Sequence, residues 1–255
     1  MRRNGSLLVT AGAVLALSLG GVANAGIENT KHNMSSSGSA NQIYSSGVSS
    51  TDEICVFCHT PHMNVAKGDV IPLWNHRLSS GALSYTMYKS ATFNGGDNTG
   101  GVASLDFAAA PDQLDGSMSV TNLCLSCHDG TQAVNAMLNT PNRLDTNPTM
   151  FGGVEKIPNT SKAFLDTDLQ NDHPVNFSYK GSEDVSTETL HASALDGSGV
   201  TAGGNTVRLF NGTVQCASCH DPHKDYSVAT GDPDFTPFLR VKIAGSTLCL
   251  TCHNK

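Results

Sequence analysis

The feature that most constrains this chain of 255 residues is a five-residue pattern, Cys-x-x-Cys-His, that occurs four times. The four copies begin at Cys55, Cys124, Cys216 and Cys249, and together they use all eight cysteines. Two thiols separated by two residues can add to the two vinyl groups of one haem, while the histidine that follows reaches the iron. The repeated pattern therefore predicts four covalently attached c-type haems.

Each copy of the pattern assigns the same two roles. The cysteines form the thioether bonds, and the histidine is the proximal iron ligand. The competing interpretations are two zinc sites of four cysteines each, or four short disulfides, and neither explains a histidine after every second cysteine. The predicted haem-binding cysteines are Cys55, Cys58, Cys124, Cys127, Cys216, Cys219, Cys249 and Cys252, and the predicted proximal ligands are His59, His128, His220 and His253.

The composition is typical of a chain whose core forms around a large cofactor. Only 6% of the residues are aromatic, with one Trp and nine Phe, whereas there are 25 Gly. Little apolar area is then available to offset the entropy of ordering the backbone. We therefore expect a multihaem c-type cytochrome fold, mostly irregular coil, with short α-helices at the haem motifs, a small β-hairpin and a haem-templated core.

The N-terminal segment is typical of a secretory signal peptide. Arg2 and Arg3 precede an apolar run from Leu7 to Leu19, and small residues end the segment at 25. The run is too short to span a bilayer, which excludes a transmembrane transporter and predicts no membrane anchor after cleavage. Once residues 1–25 are removed, 13 basic and 22 acidic residues remain, a net charge of −9. Nucleic acid is not expected as a partner.

Four irons with proximal histidines leave four distal positions, and six other histidines are available among the ten. His62 and His223 each follow a proximal histidine by three residues, in the pattern Cys-His-x-Pro-His. Residues three apart on a helical turn lie on one side, whereas the two ligands of an iron approach from opposite sides. We therefore expect each of these two histidines to bind a different haem from its neighbour.

The remaining distal candidates differ in their surroundings. His173 lies between Asp172 and Pro174, which can fix the ring and the chain direction. His32 precedes a serine-rich stretch near the expected mature N-terminus. For His76 and His191 a surface or supporting role is favoured, although replacement of one distal ligand by either residue stays open. The predicted distal ligands are His32, His62, His173 and His223.

The spacing of the motifs predicts the organisation of the chain. A flexible N-terminal arm over 26–50 carries one candidate distal histidine and is followed by one tetrahaem unit over 51–255. Within that unit, haem pairs over 51–140 and 205–255 are joined by the segment 141–204. The parts are expected to share ligands and therefore to form one unit rather than separate domains.

Local patterns predict a few regular elements. Apolar spacing indicates a helix from Cys124 to about Leu138. A hairpin is expected with strands 206–210 and 213–215 around the Asn211-Gly212 turn, because this dipeptide accepts the positive φ values of a type I′ turn. The glycine-rich stretches 94–101 and 201–205 are expected to form turns or loops.

These motifs, in this order along nearly the whole mature chain, resemble a family of exported tetrahaem c-type cytochromes. Within the family the chain is most similar to the extracellular cytochromes of metal-reducing bacteria that polymerise into haem-wired filaments. The resemblance implies bis-histidine haems, distal ligands at the four positions given above, and one distal histidine supplied by a neighbouring subunit. The segments that carry it are Lys31-His32-Asn33, Glu53 to His62, Pro72 to Asn75, Leu125 to Gly130, Asp172 to Val175, Cys219 to His223 and Leu248 to His253.

These observations favour a non-enzymatic electron conduit outside the cytoplasm, secreted or at the cell surface. Its expected partners are further copies of the chain, other cytochromes and extracellular metal oxides. The arm with His32 is the candidate bridge between copies. A soluble periplasmic tetrahaem shuttle differs from this only in assembly and location. A multihaem reductase is a third possibility, and it requires one open iron position.

Overall fold

The computed structural model describes residues 26–38, 51–60, 73–76, 85–90, 93, 120–141, 146–150, 153, 155–179, 190–194 and 196–254. The predicted signal peptide 1–25, the second part of the arm at 39–50, the predicted ligand His62 and the loop 94–101 lie outside these residues. Within the described part of the chain, no helix is long and apolar enough to cross a membrane.

The helices of the described residues are short, and the four Cys-x-x-Cys-His motifs all lie on or at the end of one. A short helix brings residues three apart to the same side, which is where the paired thiols of a motif are needed. The α-helices are α1 (Val120–His128), α2 (Cys216–Cys219), α3 (Tyr226–Thr230) and α4 (Thr247–Cys252), and the 3-10 helices are Ile27–Asn29, Ile54–Phe57, Pro233–Phe235 and Ala244–Ser246.

Helix α1 differs from the predicted helix at both ends. It begins at Val120, one turn before Cys124, and ends at His128 rather than near Leu138. The side chain of Asp129 accepts hydrogen bonds from the backbone N–H and the hydroxyl of Thr131, at 2.7 and 2.8 Å, and Gly130 has a φ of 69°. An aspartate that bonds two residues ahead and a left-handed glycine both stop a helix. The expectation of a helix through 138 was therefore wrong.

Two small antiparallel sheets lie in the C-terminal half. Strand β1 (Phe177–Ser178) pairs with β4 (Thr213–Val214), and β2 (Gly199–Ala202) pairs with β3 (Asn205–Arg208). The turn between β2 and β3 consists of two glycines at 203 and 204, both with positive φ. The expectation of a loop over 201–205 was wrong at its two ends, which form strands.

The turn at Asn211-Gly212 is confirmed. The two residues have φ values of 48° and 73°, and the backbones of Phe210 and Thr213 exchange hydrogen bonds of 3.0 and 2.9 Å across the turn. The flanking strands do not form the predicted hairpin ladder, however, because β3 pairs with β2 and β4 pairs with β1. The actual pairings bring apolar side chains together across the strands, since Val207 lies opposite Val200 and Val214 lies opposite Phe177.

The first part of the N-terminal arm packs against the rest of the chain. Met34 is buried in a cluster with Phe57 and Val134, and Asn33 accepts a hydrogen bond of 2.6 Å from the hydroxyl of Ser35. A buried methionine and a satisfied buried amide hold residues 26–38 in place. This part therefore differs from the flexible arm expected over 26–50.

Three apolar clusters surround the motifs. The first is built around Phe57 and Met137, and the thiol-bearing side chains Cys58 and Cys127 pack against it. The second contains Leu125 of α1, and the third packs against Cys252 of α4. The first, second and fourth motifs thus each have a residue in contact with a cluster, so the small core supports these three motifs directly.

Candidate haem sites

The four motifs share one backbone geometry. The N–H of the motif histidine donates to the carbonyl of the first cysteine in three of them, at 2.8 Å for His59, 3.0 Å for His220 and 2.9 Å for His253. The fourth histidine, His128, is the last residue of α1. One helical turn therefore carries both thiols of each motif on the same side, as attachment to a single cofactor requires.

The residue before the second cysteine is buried in every motif. The exposed fractions are 1% for Phe57, 0% for Ser126, 0% for Ser218 and 1% for Thr251. The hydroxyl of Ser126 donates to Leu123 O at 2.7 Å, so this polar side chain is satisfied locally. Because this position faces the interior, the turn is anchored on one side and its orientation is fixed.

The thiols of consecutive motifs are neighbours. Cys58 of the first motif interacts electrostatically with Cys127 of the second, the Cys124 thiol hydrogen-bonds Cys216, and Cys219 of the third interacts with Cys249 of the fourth. The motifs are thus arranged in space in their chain order. No disulfide links them, and all eight cysteines are free thiols.

Burial shapes the acidity of these thiols. Burial raises the pKa of Cys58, Cys219 and Cys252 to about 11 in each case. The contact with Cys216 and burial hold the pKa of Cys124 well above its ordinary value. Hydrogen bonds from Cys124 and from Thr121 lower that of Cys216. With pKa values of about 11, the thiols of Cys58, Cys219 and Cys252 are protonated at neutral pH.

Several of the predicted ligand histidines present the same ring nitrogen to the backbone. Nδ1 lies 3.3 Å from Leu73 O in His59, 2.7 Å from Ala163 O in His128 and 2.8 Å from Pro237 O in His220. A carbonyl oxygen only accepts, so Nδ1 carries the proton and the lone pair is on Nε2. The same holds for the predicted distal ligands His32 and His173, whose Nδ1 atoms lie 3.1 Å from Pro222 O and 2.9 Å from Pro174 O. A backbone bond at Nδ1 is the usual means of orienting a metal-bound imidazole.

Two predicted proximal ligands lie close to two predicted distal ligands. The ring centroids of His59 and His223 are 5.9 Å apart, and those of His32 and His128 are 6.2 Å apart. A metal–imidazole bond of about 2.0 Å, with the bonding nitrogen about 1.1 Å from the ring centroid, separates the centroids of two ligands of one metal ion by roughly 6 Å. Both pairs match that separation.

The two ring pairs are adjacent. Burial, and then the nearby His128, lower the pKa of His32 to about 4, and His223 contributes in the same direction. Burial likewise lowers the pKa of His128, with a further contribution from His220. Neutral imidazoles are the form that binds iron, so these surroundings favour ligation. The ring of His32 also stacks on Phe238 with centroids 4.6 Å apart, which holds it within its own chain rather than directed outward.

The other histidines have different environments. His76 is 1% exposed, and its Nε2 lies 2.8 Å from Ala133 O, so the nitrogen that an iron would need contacts a carbonyl. His191 contacts the last motif through its backbone, whose N–H donates to Cys252 O at 2.8 Å. His173 is exposed and lies beside β1, next to Asp172, which interacts with Cys216. The position of His62 is outside the described residues.

Two supporting residues carried no sequence signal that identified them. Arg240 pairs with Asp221 at 2.8 Å, and its Nε donates to Ala217 O at 2.9 Å and to His220 O at 3.2 Å. It thus binds the C-terminal end of the third motif. Asp221 also lies 3.7 Å from Nδ1 of His223. The only hint in the sequence is that Asp221 falls between two predicted ligands.

The donor set fits four c-type haems. Each motif offers two thiols on one side of a helical turn. Of the four motif histidines, at least three keep Nε2 for iron. Among the described residues, no group of three or more His, Cys, Asp or Glu side chains is arranged to hold a bare metal ion. No protein-family model matches this chain, and no curated protein sequence matches it significantly.

Proposed function

We propose that this protein is a tetrahaem c-type cytochrome that conducts electrons outside the cytoplasm. The observation that carries the proposal is the combination of four Cys-x-x-Cys-His turns with two imidazole pairs at centroid separations of 5.9 and 6.2 Å. When bound, the haems would supply one-electron redox chemistry. The chain itself holds the attachment points at short range and orients the ligands.

The residues divide into three roles under this proposal. Paired cysteines would attach each haem, each motif histidine would bind an iron, and four further histidines would supply the second imidazole ligands. His223 serves the first motif, through its position opposite His59, and His32 serves the second, opposite His128. His62 and His173 are left for the third and fourth motifs.

We also propose that the protein assembles into filaments in which one imidazole comes from the next copy. Because His32 and His223 lie opposite histidines of their own chain, the bridging ligand is His62 or His173 rather than His32. The first and last motifs each expose their first cysteine, Cys55 and Cys249, at the two ends of the thiol series. Ends of this kind suit contact between haems of successive copies, and the secreted or cell-surface location follows from the proposed export.

The deciding experiment is intact-mass measurement of the protein produced with a c-type maturation system. We expect the mass of the chain from residue 26 plus four haems, and a low-spin visible spectrum. Cys216→Ser combined with Cys219→Ser should remove one haem and leave three. A haem-free, zinc-loaded or disulfide-linked product would contradict the proposal.

Electron cryomicroscopy of the haem-loaded protein tests assembly separately. His173→Ala or His62→Ala should abolish filaments, whereas His76→Ala, the control, should keep them. Discrete particles in the unmodified protein, with every iron low-spin, would instead indicate a soluble shuttle. A high-spin iron in the unmodified protein would indicate an open position and favour a reductase.

A further inference from the structure

The side chain of Gln215 joins the second and third motifs. It immediately precedes Cys216 and is 3% exposed. Its Oε1 accepts hydrogen bonds from the backbone N–H of Thr121, at 3.1 Å, and from the hydroxyl of the same residue, at 2.6 Å. Thr121 is fully buried in the first turn of α1, three residues before Cys124. One amide group thus links the residues that lead into the two motifs.

The rest of this side chain is equally engaged. Nε2 of Gln215 donates to Asn176 Oδ1 at 3.1 Å and to Thr213 Oγ1 at 2.8 Å. Its backbone N–H donates to Ser218 Oγ at 3.0 Å, which ties it to α2 itself. Both amide hydrogens and the carbonyl oxygen are therefore used, and neither a carboxylate nor an apolar side chain can reproduce the set.

These bonds set the relation of α1 to α2. The backbone N–H of Cys216 lies 3.4 Å from Thr121 Oγ1, so the third motif begins against the first turn of α1. The two helices pack together, and the Cys124 and Cys216 thiols are in contact. Buried polar networks of this kind specify one arrangement, because alternative packings leave polar groups unsatisfied.

We propose that Gln215 is a positioning residue that fixes the separation and orientation of the second and third haem-attachment motifs. The inference rests on the proposed function, since it concerns the spacing of the attached haems. It goes beyond that function by assigning the geometry of one junction to one side chain. Thr121 is its partner in that role.

The test uses the haem-loaded protein and the coupling between neighbouring haems. Soret-region circular dichroism and the spin–spin interaction in electron paramagnetic resonance both depend on the distance and orientation of adjacent haems. Gln215→Leu should keep four haems by mass but change the amplitude of the Soret couplet at least twofold. Gln215→Glu, which retains the acceptor for Thr121, should lie closer to the unmodified protein.

Two threonines provide a matched comparison. Thr121→Val removes the hydroxyl that bonds Gln215 and should alter the couplet in the same direction as Gln215→Leu. Thr51→Val removes a buried hydroxyl that lies outside every motif and accepts a local bond of 3.1 Å from the backbone N–H of Glu53, and it should leave the couplet unchanged. Loss of stability alone would affect both threonine variants, whereas a junction role separates them.

The outcomes distinguish this proposal from the function on which it rests. If the unmodified protein carries no haem, the proposed function itself fails. If four haems are present and both Gln215→Leu and Thr121→Val leave the couplet and the spin coupling unchanged, the positioning role is overturned and the function stands. If Gln215→Leu loses a haem, the comparison of Thr121→Val with Thr51→Val decides, and equal couplets in those two variants overturn the role.

Discussion

The first two motifs and the last two are held in different ways. Around the first two, individual buried side chains make the contacts: Asn75 donates to Val56 O at 2.6 Å and to Asn139 O at 2.8 Å, and Tyr85 donates to Asp129 at 2.5 Å. Around the last two, paired strands provide the frame, because α4 packs on the β2–β3 hairpin. We call the residues packed around the first two motifs the first region and those packed around the last two the second region. We therefore expect single substitutions to have larger effects in the first region than in the second.

The largest difference between the two regions is expected at the two imidazole pairs. Both described imidazole pairs involve a proximal histidine of the first region, and His223 reaches His59 from the third motif. His223→Ala should leave the first iron with one imidazole and produce a high-spin signal equivalent to one haem in four. The haem count by mass should not change. Visible and electron paramagnetic resonance spectra measure the effect.

The control for His223→Ala is His76→Ala, because Nε2 of His76 contacts Ala133 O. It should remain fully low-spin. A low-spin His223→Ala protein would contradict the pairing with His59, and a high-spin His76→Ala protein would place His76 among the ligands.

Alanine substitutions at two glycines allow the two regions to be compared for their tolerance of an added Cβ. Gly130 follows the second motif with φ +69°, and an added Cβ would overlap the ring of Phe164. Gly231 lies in the second region with φ +73°, and a Cβ there would meet nothing within 4 Å. Both alanine variants carry left-handed strain of about 1 to 2 kcal/mol, and Gly130→Ala adds overpacking of about 1 to 3 kcal/mol.

Thermal unfolding of the haem-loaded glycine variants measures this difference. We expect Gly130→Ala to unfold at a clearly lower temperature than Gly231→Ala. Equal unfolding temperatures would show that Phe164 moves aside freely and that packing beside the second motif is looser than the contacts indicate.

Two buried tyrosines, one in each region, allow the contribution of their hydroxyl hydrogen bonds to stability to be compared. Tyr85 donates to the carboxylate of Asp129, beside His128, whereas Tyr179 donates to the carbonyl of His191 at 2.8 Å. A bond to a charged group contributes about 2 kcal/mol and one to a neutral carbonyl about 1 kcal/mol. Tyr85→Phe should therefore lower the free energy of unfolding about twice as much as Tyr179→Phe. Denaturant titration of both variants measures the ratio, and a larger cost for Tyr179→Phe would reverse the comparison.

Local turns and helix ends are the features of this structure that the sequence could predict. In the second region the Asn211-Gly212 turn follows from local chemistry, because few residues accept two successive positive φ values. The Gly203-Gly204 turn carried a similar signal, and its strands were missed because they are only four residues long. The end of α1 was also signalled locally, by Asp129 and Gly130, but apolar spacing beyond them favoured continuation.

The contacts that build the candidate sites could not be predicted in this way. The meeting of His32 with His128, and of His59 with His223, depends on how distant segments pack. The sequence predicts that His223 binds a haem other than that of His220 from helical spacing, but α2 ends at Cys219 and His220 is extended, so the two histidines do not share a helical turn. Which haem it binds depends on long-range contacts, and so do the roles of Gln215 and Arg240, whose residue types carry no special signal.

The smallest expected effect comes from an exposed ion pair of the second region. Nζ of Lys242 lies 2.5 Å from Asp232 Oδ2, and hydrogen bonding from Lys242 lowers the pKa of Asp232 below its ordinary value of 3.8. The unfolded chain then binds more protons than the folded chain as the pH falls below about 4, so this pair stabilises the fold above that pH and not below it. Lys242→Met should leave thermal unfolding at pH 7 almost unchanged, since exposed pairs contribute little. It should also weaken the loss of stability between pH 4 and 3, measured by thermal unfolding against pH. A large loss of stability at pH 7 would mean that the second region depends on single side chains as much as the first does.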